Sequence, residues 1–119
     1  VHFISAFPAF SWYQKAAEQG NSSAQFSVGR MLEFGRAVDK DEMLAAQWYR
    51  KAGEQDDAEA QLRLGLLLQL GRGVAKDATE AVRWYRRAAE AGHDEAQFML
   101  GISLAGGVGV PQGTKCRAS

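Results

Sequence analysis

Trp12, Trp48 and Trp84 stand 36 residues apart, and the same interval separates Ala24, Ala60 and Ala96, and Gly29, Gly65 and Gly101, with no insertion to break the register. Around each tryptophan one phrase returns: "SWYQKAAEQG" from Ser11, "QWYRKAGEQD" from Gln47 and "RWYRRAAEAG" from Arg83. A fixed period of this length marks a repeat architecture, in which each unit is one supersecondary element that hides its apolar face only against its neighbours. The expected fold is therefore a solenoid and not a conventional globular domain.

Residues 60–95 show what one unit is. Ala60, Leu64, Leu67 and Leu68 recur at helical spacing, and the segment stops at "GRG", where glycine can take the left-handed conformation that closes a helix. This first helix is termed A. Asp77 followed by Glu80 makes an acidic analogue of a capping box, from which a second helix, B, runs to Gly92. Each helix is about 12–15 residues long and marginal alone in water, so packing must stabilise it. Ala60 and Gly65 on helix A, with Ala81 and Ala88 on helix B, let backbones approach, while Trp84 and Tyr85 fill the space between units. Glycine inside a helix costs about 1 kcal/mol relative to alanine, and its return at 29, 65 and 101 predicts a contact where a Cβ would not fit. The cations and glutamates of the repeated phrase (Arg50 with Glu54, Arg86 with Glu90, Lys15 with Glu18) are expected to pair along helix B on a solvated face.

Fourteen basic and fourteen acidic residues cancel, which argues against nucleic acid as a partner. No stretch is long enough to span a bilayer. A single cysteine, Cys116, allows no internal disulfide, and the apolar leader "VHFISAFPAF" lacks the basic start and cleavage pattern of a signal peptide. A cytoplasmic setting is favoured over an oxidising one.

The segments "AQxxLG" (60–65), "GRGVxxD" (71–77) and "WYRRAAEAG" (84–92) resemble the Sel-1-like repeat, an αα-hairpin cousin of the tetratricopeptide repeat. Residues 24–59 and 60–95 agree at 16 of 36 positions, and the likeness extends over about residues 5–112. The resemblance implies an all-α, α/α superhelical solenoid of 36-residue helix-turn-helix repeats that scaffolds or adapts other proteins. On that reading residues 1–23 are a half repeat (helix B), 24–59 and 60–95 are whole repeats, and 96–119 are helix A plus a tail. Some secreted bacterial members are cysteine-rich and linked to β-lactam binding; this chain lacks their paired cysteines.

The departures from the repeat carry expectations of their own. Ser5 stands where Asp41 and Asp77 cap the later B helices, Pro8 falls in a first turn, and Phe3, Phe7 and Phe10 form a stripe suited to capping the stack. Asp56 and Ala37 replace glycines found at 20 and 92, and at 73 and 109, so strained turns are expected there. The segment "GVGVPQGTKCRAS" offers Gly113 where an aspartate would cap and contains no tryptophan. The last helix A is left without a helix B, and Phe98, Leu100, Ile102 and Leu104 cannot all be covered by it. Self-association through this end, or continuation into a longer protein, is the expectation.

Aligning the three A helices separates recurring positions (Ala24, Gln25, Val28, Gly29, Leu32 and their counterparts) from freely varying ones. The varying set is Ser27, Arg63 and Met99; Arg30, Leu66 and Ile102; Met31 and Leu67, with Ser103; and Phe34 and Leu70, with Gly106. Those offsets are i, i+3, i+4 and i+7, a single helix stripe. In helical-hairpin solenoids the A helices line the concave surface, so this stripe is the candidate groove for a protein or peptide partner, with Arg30 and Arg63 orienting it. The competing reading makes Met31, Leu67 and Leu70 inter-repeat core.

No catalytic or cofactor-binding residues are assigned. HExxH, a nucleophile elbow and SxxK are missing, "GVPQGTK" does not have phosphate-loop spacing, and His93 occupies the helix-start position held by Asn21 and Asp57. The reading is a non-catalytic interaction module. A β-lactam binder or hydrolase, and a purely architectural segment, are the alternatives.

Overall fold

The computed structural model describes residues 6–107. Six helices follow one another: α1 (Ala6–Glu18), α2 (Ser22–Phe34), α3 (Glu42–Glu54), α4 (Ala58–Leu70), α5 (Ala78–Glu90) and α6 (Asp94–Ala105). The A helices are α2, α4 and α6; the B helices are α1, α3 and α5. Close backbone packing runs from each helix to the next in the chain, and the body measures 62 × 24 × 19 Å. The chain is an all-α solenoid of repeated helix-turn-helix units.

Every helix start after α1 is capped by a side chain. Asn21, Asp57 and His93 accept from the backbone N–H of Ala24, Ala60 and Ala96, while Asp41 and Asp77 accept from Leu44 and Glu80. The Asp77–Glu80 box is one-sided: the Asp77 N–H donates to the Leu68 carbonyl instead, and the Glu80 side chain turns to Arg50 and Trp84. Gly35 and Gly71 close α2 and α4 in the left-handed region (φ 69° and 70°). Ala37 and Asp56 also hold positive φ, 67° and 69°, the strained turns expected from their missing glycines.

Ala45, Ala52, Ala60, Ala81 and Ala88 are buried, with Val28, Leu64, Leu67, Leu68, Tyr49 and Tyr85 among them. The glycine argument holds at two of its three positions. A Cβ on Gly29 would lie 2.6 Å from the Tyr49 ring, and one on Gly65 2.6 Å from the Tyr85 ring. Gly101 has nothing within 4 Å, because among the described residues no helix B follows α6.

The tryptophans are less uniform than their spacing suggests. Trp84 is buried, reaching across to Gly53, whereas Trp12 is 69% exposed. Lys15, Lys51 and Arg87 each lie over the ring of the tryptophan three residues earlier, at 4.8, 4.7 and 5.0 Å, a cation–π contact written once per unit. The expected pairs within helix B do not form. Arg50 instead bonds Glu80 of the next helix B at 2.8 Å, Lys15 covers Trp12, and Arg86 with Glu90 makes no ion pair among the described residues. Ser5, Phe3, Cys116 and the turn through Gly109 and Gly113 lie outside the described residues, as does the side chain of Phe7.

Candidate functional site

Four of the stripe residues, Ser27, Arg30, Met31 and Phe34, line one open cleft of about 240 Å³ together with Tyr13 of α1 and Arg36 of the turn after α2. They are α2's entire share of the varying stripe. The i, i+3, i+4, i+7 spacing turns them to one side of the helix, while Ala24, Val28 and Leu32 turn inward and are buried. Arg30 lies over the Phe26 ring at 5.7 Å. Among the described residues neither Arg30 nor Arg36 takes part in an ion pair.

The shares from α4 and α6 behave differently. Leu70 and Ile102 are exposed, whereas Leu66 and Met99 are half-buried and packed against the core. Leu67 is 1% exposed and belongs to the core, so the competing reading is right for that residue and it presents no contact surface. Arg63 is occupied: its guanidinium donates to both Glu33 carboxylate oxygens, at 2.6 and 3.3 Å, and lies over the Phe34 ring at 5.3 Å. It ties α4 to α2 and is not free to orient a partner.

Glu33 is the functionally placed residue that sequence reasoning missed. Fully buried, it accepts from the Tyr49 hydroxyl at 2.7 Å and has Arg72 at 3.7 Å; Arg72 also pairs with Glu42. Burial raises the Tyr49 pKa, and the Glu33 carboxylate raises it further by accepting the hydrogen bond of the neutral hydroxyl and by its own negative charge. Burial also works against the Arg63 charge, but the bonds and charge of Glu33 outweigh it and hold that pKa above the usual arginine value. One unit later the position of Glu33 is Gln69, which accepts from Tyr85 at 2.5 Å, and the position of Arg63 is Met99. A neutral pair replaces the charged one. The sequence signal was the Glu33–Tyr49 interval of 16 residues, repeated as Gln69–Tyr85.

A second repeated device underlies the recurring glutamine. The Gln25, Gln61 and Gln97 amides donate to the carbonyls of Ala17, Gly53 and Ala89, eight residues back, at 3.1, 2.9 and 3.2 Å. This clamps the start of each A helix to the end of the preceding B helix.

The described residues gather no group of three His, Cys, Asp or Glu able to hold a metal. His93, the expected cap, uses Nδ1 as acceptor for the Ala96 N–H and points Nε2 at Glu59, 2.9 Å away. The cap requires Nδ1 without a proton, so the imidazole donates to Glu59 through Nε2. It is a structural tie between successive A helices.

The Sel1 repeat family matches residues 9–21, 22–57, 58–93 and 94–115. The chain belongs to the Sel1 repeat family. Its units begin at the A-helix starts, two residues before the boundaries read from the alanine register. A Sel1 repeat protein from Oxalobacter formigenes superimposes with a TM-score of 0.83 and 44% identity, over 87% of this chain and 43% of that one. The protective antigen c5321 of uropathogenic Escherichia coli, which displays an SLR fold, matches with a TM-score of 0.83 and 35% identity over 87% of this chain and 22% of its own. Helicobacter pylori cysteine rich protein B gives 0.73 and 33%, over 76% of this chain and 68% of its own. Two curated relatives, DAP3-binding cell death enhancer 1 of Rattus norvegicus and of Mus musculus, are each 54% identical over 33 residues. That segment is 28% of this chain and 6% of the relatives' length. The Sel1 repeat is an αα solenoid unit of the kind that serves protein interaction and scaffolding. Among the described residues no helix is long and apolar enough to cross a membrane.

Proposed function

We propose that the A-helix face binds a polypeptide partner, with the α2 cleft as its anchoring point. The observation that carries this reading is the coincidence of the cleft lining with α2's share of the varying stripe. Met31 and Phe34 offer an apolar wall for one inserted side chain, and Tyr13 and Ser27 offer hydroxyls. Arg30 and Arg36, with no carboxylate of their own, favour an acidic residue beside that anchor. Leu70 and Ile102 extend the exposed apolar surface along α4 and α6. The rat and mouse relatives are named for binding another protein, which supports an interaction role here.

The test is selection from a displayed library of random peptides, followed by fluorescence anisotropy of the enriched sequences. The expected peptides combine an acidic with a large apolar residue. They bind the unaltered chain and Arg83→Glu, an exposed change on α5, alike, and bind Phe34→Glu at least tenfold more weakly. Affinity indifferent to Phe34→Glu contradicts the cleft.

A second reading concerns α6. Phe98 and Ile102 are exposed on it, and self-association through this helix is proposed alongside the groove.

A further inference from the structure

Phe34 is the last residue of α2 and is 48% exposed. Arg63 of α4 lies over its ring, 5.3 Å from the centroid. Behind that guanidinium stands a continuous series of contacts. The buried Tyr49 of α3 donates its hydroxyl to Glu33 at 2.7 Å. Glu33, fully buried, accepts from Arg63 through both carboxylate oxygens, at 2.6 and 3.3 Å. The order Tyr49, Glu33, Arg63, Phe34 runs from the core of the stack to the exposed wall of the groove.

One unit later the same four positions are Tyr85, Gln69, Met99 and Leu70. Tyr85 still reaches its partner, donating to Gln69 at 2.5 Å, but no charge follows and no ring stands at the groove. A neutral pair is enough to stack that unit, so stacking alone does not call for a buried carboxylate and guanidinium. What sets the charged unit apart is the aromatic residue on its exposed side.

We propose that Arg63, pinned by Glu33, is a positioning residue for the groove: it covers one face of Phe34 and holds the ring as the fixed wall against which a partner's apolar side chain packs. This rests on the groove reading above and adds to it the residue that prepares the anchor. Arg63 itself does not touch the partner. A planar guanidinium stacks on an aromatic face, whereas an exposed ring with nothing over it moves among its rotamers. A ring fixed in advance spares the partner the cost of ordering it on binding.

Glu33→Gln combined with Arg63→Met transplants the neutral pair of the next unit and tests this, once helical circular dichroism and the urea midpoint show that the double variant is folded. Arg63→Lys, which keeps a cation for Glu33 but no planar face, is a second route to the same end. Three-bond couplings from the backbone nitrogen and carbonyl to the aromatic Cγ report the Phe34 χ1 in the free chain. The unaltered protein is expected to hold one rotamer there, and both variants to average over several. Fluorescence anisotropy with acidic-apolar peptides selected on the unaltered chain then reads affinity, and both variants are expected to bind about three- to tenfold more weakly. The loss depends on the ring: in a Phe34→Leu background, which copies Leu70, the same exchanges change affinity by less than about twofold. Equal losses in the two backgrounds would assign the pair a structural role only and overturn the proposal, as would a Phe34 ring already averaged in the unaltered chain. Peptides lost in Phe34→Glu but held at full strength by the double variant overturn the part given to Arg63 and leave the groove standing. Peptides that bind Phe34→Glu and the unaltered chain alike overturn the groove itself.

Discussion

At the scale of single residues the repeat is a set of paired side chains, and its imperfections are informative. Gln25 and Gln61 make the same clamp, but the Gln25 carbonyl oxygen accepts from Gln55, whereas Gln61 Oε1 is buried with no partner. The residue in the place of Gln55 is Ala91, which has no donor to offer. Ala91→Gln should supply it and stabilise the fold by about 0.5–1 kcal/mol, read as a higher urea midpoint at constant slope; an unchanged midpoint would contradict the pairing. The Glu33–Arg63 pair has an internal control in the Gln69–Met99 pair. Arg63→Met leaves the buried Glu33 carboxylate with only the Tyr49 hydroxyl and the more distant Arg72 and is expected to cost about 2–4 kcal/mol. Adding Glu33→Gln reproduces the neutral pair and should recover most of that loss, a coupling that a double-mutant cycle measures directly. None of this was legible at first reading, because partners 16 and 30 residues apart lie outside the local spacings that reveal helix pairs. The caps were legible, since Asn21, Asp41, Asp57, Asp77 and His93 act on N–H groups three residues away.

Among the elements, the joint between an A helix and its B helix is a glycine against a tyrosine. Gly65→Ala is expected to destabilise by about 1–3 kcal/mol through overpacking on Tyr85, while Gly101→Ala, with no ring against it among the described residues, should stabilise by about 1 kcal/mol through helix propensity. Opposite signs for one substitution in one register separate packing from propensity, and thermal melts at low concentration read both. The buried tyrosines also set an alkaline limit. Burial pushes the Tyr85 hydroxyl up to about 12, so the folded chain keeps a proton that the unfolded chain releases near its ordinary value of 10. Stability is therefore full below that value and falls as pH rises through the interval to about 12. On the acid side Glu80, lowered chiefly by its hydrogen bond from Arg50, contributes stability above the ordinary carboxylate range that is lost as pH falls through its lowered pKa. Glu80→Gln should flatten that limb. Helix B was read correctly as an element but wrongly in its surface chemistry. Its phrase suggested i,i+3 and i,i+4 ion pairs, yet Lys15, Lys51 and Arg87 cover tryptophans and Arg50 reaches the next unit, because a solenoid places another helix beside the face that an isolated helix would present to water.

On the scale of the whole molecule, the 36-residue period was enough to fix the architecture, since a unit that cannot bury its own apolar face must stack. The groove was only partly legible. Comparing units locates positions that vary, but it cannot separate a residue that varies at a surface from one that varies inside a core that tolerates volume-conserving exchange. Leu67 shows the second case and Phe34 the first. Arg63 shows a third, a varying position spent on tying one A helix to another. The central claim is that partners are held on the A-helix face, and backbone NMR of the labelled chain titrated with a selected acidic-apolar peptide tests it most directly. The account predicts amide shift changes concentrated at Ser27, Arg30, Met31, Phe34 and Arg36, fading along α4 towards Leu70. Changes confined to the exposed faces of α3 and α5 would contradict it.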